Sequence, residues 1–411
     1  MTVTFRPPQK LQDWLLKEGA RLELPAMISS LAHQLVALGL QLDRFSIGFG
    51  LLNPQLLAAS IVWRPNQSIE FVRYGYEQRN SGMYERSPFK VARETGRWVH
   101  IDVPNTPDEA FGIVPDLRAE GLVHYYAIPV FTSSGGAMSV TIATSSADDF
   151  TEAQKQLLRD LLPALTVVAE LKTLGATFRD VLGAYVGRGP AQQIIDGTVH
   201  RGEVTHVRAA IFVADLRGFT HLSTQLPPEA TADLINRYYD AVVPHVSERH
   251  GEVLKFIGDA VLAIFPAEHV GDAAATLTAL HAARMALDAD VPPFEVDGRK
   301  FPIRFGIAVH FGEAVFGNVG SGDRLDFTVI GRDVNLAARI ASLCSRLGRD
   351  YLVSQEVAAI GRAHGRMMTD AGAHEVRGID NPIQVFVPDI TEIGPNIDDG
   401  ISQGLLLAPT A

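Results

Sequence analysis

The stretch Leu254-Lys255-Phe256-Ile257-Gly258-Asp259-Ala260-Val261-Leu262-Ala263-Ile264-Phe265 constrains this chain more than any other. It reads as two short apolar strands joined at Gly258-Asp259, a pair suited to a tight hairpin. A carboxylate on such a turn is carried by a rigid support. Upstream, the apolar run Ala209 to Ala214 reads as another strand and leads straight into Asp215. If these strands share one sheet, Asp215 and Asp259 converge at its edge. Two convergent carboxylates on strand ends are what a pair of hard, oxygen-seeking cations requires. Taken singly, each aspartate reads as well as a turn or helix cap; the order of the remaining elements favours the paired reading.

At 411 residues the chain has room for two domains, and 46% hydrophobic with 20% charged residues describes an ordinary globular protein. A net charge of -11 argues against a general nucleic-acid or anionic-membrane binder, because those use basic faces. The single cysteine, Cys344, excludes an intrachain disulfide and a cysteine zinc cluster. The N-terminus lacks the basic-then-apolar plan of a signal peptide. The run 161–171 is interrupted by Pro163 and Glu170, so no membrane insertion is expected. A cytoplasmic location follows as the expectation.

Taken in order, residues 11–38 show helical spacing up to Gly39, and strand-like runs follow at 44–50, 57–63, 69–74 and 97–102. Two more, 125–131 and 137–143, flank the turn 132–136 as a hairpin. Residues 1–150 are similar to a GAF domain, chiefly through Glu120-Gly121-Leu122 leading into the hairpin and Asp149-Phe150-Thr151 leading into a helix. The resemblance implies a small-molecule sensor whose effector stays unnamed. His100 and His124 read either as holders of a haem or metal or as ordinary core or surface histidines. A bilin attached through cysteine is excluded there, since no cysteine precedes Cys344. Thr151-Glu152-Ala153-Gln154 is a capping box, and Leu158, Leu161, Leu162, Leu165, Val168, Leu171 and Leu174 continue at three- and four-residue steps. That stripe is a helix laid on its own domain or a dimer seam, kinked by Pro163 in either case; the seam is the reading preferred. Residues 151–206 are therefore read as a signalling helix and connector, and 389–411 as a loosely ordered tail.

From Val207 the predicted order is strand, helix 228–249, hairpin 253–265, helix 272–289, strand 303–311, a loop holding Gly317, Gly320 and Gly322, and a helix from Asp333. This is the βαββαβ plan of a ferredoxin-like sheet. The whole is thus an α/β (α+β) chain: a ferredoxin-like βαββαβ domain at 207–388, preceded by a GAF-like antiparallel-sheet domain and a long connecting helix.

Three segments resemble class III nucleotidyl cyclases. Phe212 to Thr220 resembles their first metal motif, Lys255 to Asp259 their lysine and second aspartate, and Thr328 to Arg339 their signature helix entry. The motifs stand in the expected order. The resemblance implies attack of a ribose 3′-hydroxyl on the α-phosphate with pyrophosphate leaving, assisted by two Mg²⁺ or Mn²⁺ ions on Asp215, Asp259 and the Leu216 carbonyl. It implies that the turn holding Gly218, Phe219 and Thr220 offers backbone N–H groups to phosphate, Gly218 permitting close approach. Asn335 would position the ribose, Arg339 would stabilise charge growing on the α-phosphate, and Arg377 would stand where the family has a lysine on the outer phosphates. Lys255 donates and the Thr328 hydroxyl accepts, which matches adenine and mismatches guanine, so ATP is the expected substrate. Threonine at that position places the chain beside the adenylyl-type subclass in which bicarbonate-responsive members occur. Arg332 and Asp333 read as solvated loop charges and a helix cap. The family splits these residues between two subunits, so the expectation is a homodimeric adenylate cyclase. A guanylate cyclase and a catalytically silent nucleotide sensor are the alternatives.

Overall fold

The computed structural model describes residues 9–133, 135–321 and 324–389, so the readings of the N-terminal octapeptide, of Gly322 and of the tail past 389 lie outside the described residues. The chain divides into two compact units, Met1–Val181 and Leu182–Ala411.

The first unit runs α1 (Gln9–Lys17), α2 (Leu24–Ala37), β1 (Arg44–Gly50), β2 (Leu56–Trp63), β3 (Glu70–Gly75), α3 (Pro88–Thr95), β4 (Val99–Asp102), α4 (Val114–Ala119), β5 (His124–Phe131), β6 (Ala137–Thr144) and α5 (Glu152–Val186). Its six strands form one antiparallel sheet in the order β3-β2-β1-β6-β5-β4. Alternate side chains leave opposite faces of a strand. On β5, Tyr126, Ile128 and Val130 pack with α1, α2 and α5 on one face, while Tyr125 and Ala127 pack with α3 and α4 on the other. The expected single helix over 11–38 is two helices, because the chain turns through a 3₁₀ segment at Gly19–Arg21 and restarts before Pro25.

α5 opens on a reciprocal capping box: the Gln154 backbone N–H donates to Thr151 Oγ1 at 3.3 Å, and the Thr151 N–H to Gln154 Oε1 at 2.8 Å. It continues through Pro163 for 35 residues. Leu157, Leu158, Leu161, Leu165 and Val168 fill the core of the first unit. Buried Glu170 accepts from the Ser133 N–H and hydroxyl, tying the β5–β6 turn to the helix. Beyond it the stripe is bare: Leu171 is 65% exposed, Leu174 53% and Phe178 58%. Among the described residues α5 is the one helix long and apolar enough to cross a membrane by length and composition. The core helix of a globular unit passes the same test, and the first half of α5 buries against the sheet.

The second unit runs α6 (Arg188–Ile195), β7 (Val204–Leu216), α7 (Phe219–Ser223), α8 (Pro228–Ser247), β8 (Glu252–Ile257), β9 (Ala260–Pro266), α9 (Gly271–Asp288), β10 (Phe294–Val296), β11 (Arg299–Phe301), β12 (Phe305–Ser321), β13 (Arg324–Ile330), α10 (Arg332–Leu347), β14 (Tyr351–Ser354), α11 (Gln355–Ala363), β15 (Met368–His374) and β16 (Ile383–Pro388). The main sheet is ordered β15-β16-β14-β12-β7-β9-β8, with β13 added to the far part of β12. Its segment β12-β7-β9-β8 is antiparallel throughout and takes the βαββαβ strands in the order fourth, first, third, second, the ferredoxin-like arrangement. Leu234, Tyr238, Ala241, Val242 and Val246 seat α8 beside α9 on one face of the sheet. Val334, Ala337, Ile340 and Ala341 seat α10 on the other.

The glycine-bearing loop expected after residue 311 is a hairpin instead. β12 runs on to Ser321 and pairs with β13, Gly317 lying opposite Thr328. Glycine is required at 317 because a Cβ there would lie 2.9 Å from Val204 Cγ1 and 3.0 Å from the Glu203 carbonyl.

Candidate active site

β7 is buried from Ala209 to Ala214 and surfaces at its C-terminal end, where Asp215 stands opposite Ala260 of β9. The β8–β9 turn takes Gly258 through φ 66°, a left-handed conformation that glycine adopts at little cost. The turn delivers Asp259 beside Asp215, close enough for the two carboxyls to share a hydrogen bond. Burial, then the facing charge of Asp259 and that hydrogen bond, push the Asp215 carboxyl up to about 6. Burial also raises Asp259, opposed first by its own backbone N–H, then by the shared bond and the Leu216 N–H that donates to it. The two carboxyls therefore titrate as a pair, with the first proton held above the usual carboxylate range. Two half-buried carboxylates that cannot both ionise freely are an oxygen donor set short of positive charge, and this fits a hard divalent cation.

The turn is pinned from α8. The Tyr239 hydroxyl donates to the Gly258 carbonyl at 2.8 Å, and its ring stacks on Phe256 at 4.2 Å. Tyr238 lies fully buried beside Phe305, its hydroxyl without a hydrogen-bond partner, and burial near the two carboxylates holds its phenol well above the usual range. Nothing in the sequence singles out Tyr239 beyond its place in the helix expected over 228–249.

Gly218, at φ 70°, turns the chain from β7 into α7. A Cβ there would meet nothing within 4 Å, so backbone conformation and not close approach calls for glycine. The Arg217 N–H is already given to the Arg304 carbonyl, which leaves residues 218–220 as the open end of the turn. Phe219 packs on the core and Thr220 is exposed.

Lys255 reaches from β8 to β13, where its ammonium donates to Asp326 at 2.7 Å. Thr328 lies two residues further along the same strand and so on the same face. The structure thus brings Lys255 to the strand that carries Thr328, through a carboxylate the sequence reading did not single out. This pair is solvent-exposed, so its contribution is modest, about 0.2–1 kcal/mol. Asp326→Asn is expected to change the KM for the nucleotide by no more than about fivefold, with kcat less affected, in steady-state assays. A change beyond tenfold would mean that Asp326 itself touches the base.

Asn335 and Arg339 stand one turn apart on the exposed side of α10. Among the described residues no hydrogen bond or ion pair joins either to Asp215 or Asp259. Arg377 is exposed in the turn between β15 and β16. Asp333 does not cap α10: its carboxylate accepts from the Glu313 N–H at 2.8 Å and lies 3.8 Å from Nε2 of buried His310. The other ring nitrogen of His310 is 2.9 Å from Ser354 Oγ, and the ring holds Glu356 well below the usual carboxylate range. His310 therefore ties the start of α10 to β12 and to the start of α11.

The sheet thus ends in paired carboxylates beside a lysine-bearing hairpin, and Asn335 and Arg339 lie on an exposed helix face. Residues 203–388 match the family described as the adenylate and guanylate cyclase catalytic domain. An uncharacterized protein of Mycobacterium tuberculosis (strain H37Rv) is 35% identical over 213 residues, covering 51% of this chain and 38% of its own length. The chain thus spans well under half of that relative. Among solved structures, the adenylyl cyclase CyaB from P. aeruginosa is 27% identical, covering 46% of this chain and 96% of that one at a TM-score of 0.39. The guanylyl cyclase Cya2 is 26% identical, covering 46% and 94% at 0.37. The family match lies within the second unit. Domains of this family bind a nucleotide, generally use divalent metals and function as dimers.

Proposed function

We propose that this protein is an adenylate cyclase, converting ATP to 3′,5′-cyclic AMP and pyrophosphate at a homodimer interface under control of its N-terminal unit. The observation that carries the reading is the Asp215–Asp259 pair, held face to face at the strand ends of a segment that matches the cyclase catalytic domain family. Asp215, Asp259 and the Leu216 carbonyl would hold two Mg²⁺ or Mn²⁺ ions. Those ions, when bound, supply positive charge to the triphosphate and acidity to the attacking hydroxyl.

The remaining roles belong to this chain's own side chains. Backbone N–H groups of 218–220 receive phosphate oxygens at the turn. Lys255 donates to adenine N1, and the Thr328 hydroxyl accepts from its 6-amino group. Guanine would set donor against donor there, which costs roughly 1–3 kcal/mol in a desolvated site. Asn335 orients the ribose, the Arg339 fork spreads over charge growing on the α-phosphate, and Arg377 meets the outer phosphates. Residues 1–150 act as a GAF-like sensor, 151–206 as the signalling helix and connector, and 207–388 as the catalytic domain. The protein acts in the cytoplasm.

Dimerisation is supported by the bare stripe on α5. Val167, Leu171, Leu174, Phe178 and Tyr185 are all exposed and fall at a and d positions of one heptad register, the spacing of a two-stranded seam. Purified protein given ATP or GTP with Mg²⁺ or Mn²⁺ should form cyclic AMP from ATP at least about tenfold faster than cyclic GMP from GTP. Preference for GTP would overturn the base assignment. Silence with both nucleotides and both metals, in a verified dimer, would mark a silent or effector-gated domain.

A further inference from the structure

We propose that His100, His124 and Asp149 form a binding site for one borderline divalent transition-metal ion, of the Zn²⁺, Co²⁺ or Ni²⁺ class, in the N-terminal unit. The proposal does not depend on the catalytic reading. Antiparallel pairing of β4 with β5 sets His100 opposite Tyr126 and His124 two residues away, so both imidazoles leave the same face as diagonal neighbours. The chain returns to that face at Asp149, between β6 and α5. One ligand atom from each of the three lies within 4.8 Å of the others.

The arrangement has the features of a metal centre beyond proximity. His124 Nε2 is 3.2 Å from the Ala147 carbonyl. Donation there fixes the tautomer and leaves Nδ1 as a lone pair facing the site, the orientation that metal-bound histidines receive from backbone carbonyls. His124 Nδ1 and His100 Nε2 are 3.2 Å apart. Two nitrogens each about 2.0–2.1 Å from a tetrahedral ion stand roughly 3.3 Å apart, so both rings already hold ligating separation. His100 is braced by stacking on Tyr126, with ring centroids 4.5 Å apart and an interplanar angle of 16°. Asp149 is braced by the Tyr126 hydroxyl at 2.6 Å and the Phe150 N–H at 2.7 Å. Two imidazoles and one carboxylate select borderline cations over Mg²⁺ or Ca²⁺.

The remaining partner of Asp149 is the Lys155 ammonium, at 2.8 Å. It occupies the role of counter-charge that a bound cation would take over. Lys155 sits in the first turns of α5, the helix that runs out of this unit, so exchanging ammonium for metal would alter how that helix begins. The class of effector this implies is a metal ion rather than an organic ligand.

The test uses chelator-stripped full-length protein in excess Mg²⁺, titrated with Co²⁺ by visible absorption and with Zn²⁺ by calorimetry. One Co²⁺ per chain should bind with ligand-field bands that Zn²⁺ bleaches. His100→Ala and His124→Ala should abolish those bands, Asp149→Asn should weaken binding at least about tenfold, and Lys155→Met should tighten it. Unchanged stoichiometry and affinity in both histidine variants would overturn the site. A second measurement needs no variant: saturating Zn²⁺ should protect His100 and His124 from diethyl pyrocarbonate, read by peptide mass spectrometry. Modification of both at the metal-free rate would overturn it as well.

Discussion

Asp259→Asn is expected to lower cyclic nucleotide formation by about a thousandfold or more, and at the same time to make the cation-free protein more stable above pH 6. The rate loss follows from the chemistry of the donor set: roughly 4 kcal/mol of transition-state charge stabilisation is about three decades of rate. The stability gain follows from the same pair. The Asp215 carboxyl rises from 3.8 to about 6 on folding, by burial first and the facing Asp259 second. Below pH 4 both states are protonated and the pair costs nothing. Between pH 4 and 6 the unfolded chain releases its proton while the folded chain retains it, so stability falls as pH rises, and the deficit persists at neutral pH. Because the pair is partly solvated, the deficit is on the order of 1–2 kcal/mol and not the full value of the shift. Removing the Asp259 charge shrinks it. Urea unfolding in chelator from pH 4 to 8 would show wild type and variant diverging across pH 4 to 6, the variant the more stable at pH 8. Added Mg²⁺ should narrow the gap by stabilising wild type alone. Parallel curves would mean that the two carboxylates do not face each other in solution.

The meeting of Asp215 and Asp259 was legible because each sits at the end of a strand whose pattern is plain in the sequence. The run Ala209 to Ala214 is continuously apolar as a central strand must be, and Gly258-Asp259 lies between an edge strand interrupted by Lys255 and the apolar run Val261 to Phe265. The second half of β12 was not legible. Gly317 and Gly320 read as loop punctuation, yet Gly317 is small because the start of β7 lies too close for a Cβ, which only the pairing of distant strands discloses. With that hairpin unread, Thr328 was assigned to a helix entry, and Asp326 as the partner of Lys255 stayed invisible. The same limit hid the meeting of His100, His124 and Asp149. It depends on the β4–β5 register and on where the chain returns after β6, and local periodicity carries neither. His310 was passed over for another reason: one histidine within an apolar strand gives no sign that its two nitrogens lie near Ser354 and Asp333.

Arg339→Ala is expected to reduce kcat by about 10²–10³ while moving KM only severalfold, because a guanidinium that meets charge developing on the α-phosphate acts in the transition state far more than in the ground state. Its second consequence concerns assembly. Within one chain Arg339 makes no bond to the carboxylate pair, and the bare heptad stripe of α5 offers a seam to a second copy. If each site takes Asp215 and Asp259 from one subunit and Arg339 from the other, a dimer of one Asp259→Asn chain and one Arg339→Ala chain contains one intact site and one doubly damaged site. Random exchange makes half the dimers mixed, so equal amounts of the two inactive variants should recover about one quarter of wild-type activity. The assay mixes the purified variants, verifies exchange with differently tagged chains, and follows cyclic nucleotide formation. No recovery despite verified exchange would place Arg339 and the carboxylates in the same subunit's site. The geometry favours recovery, because Asn335 and Arg339 project from the face of α10 opposite the residues that seat it on the sheet, where a partner's strand ends can approach them.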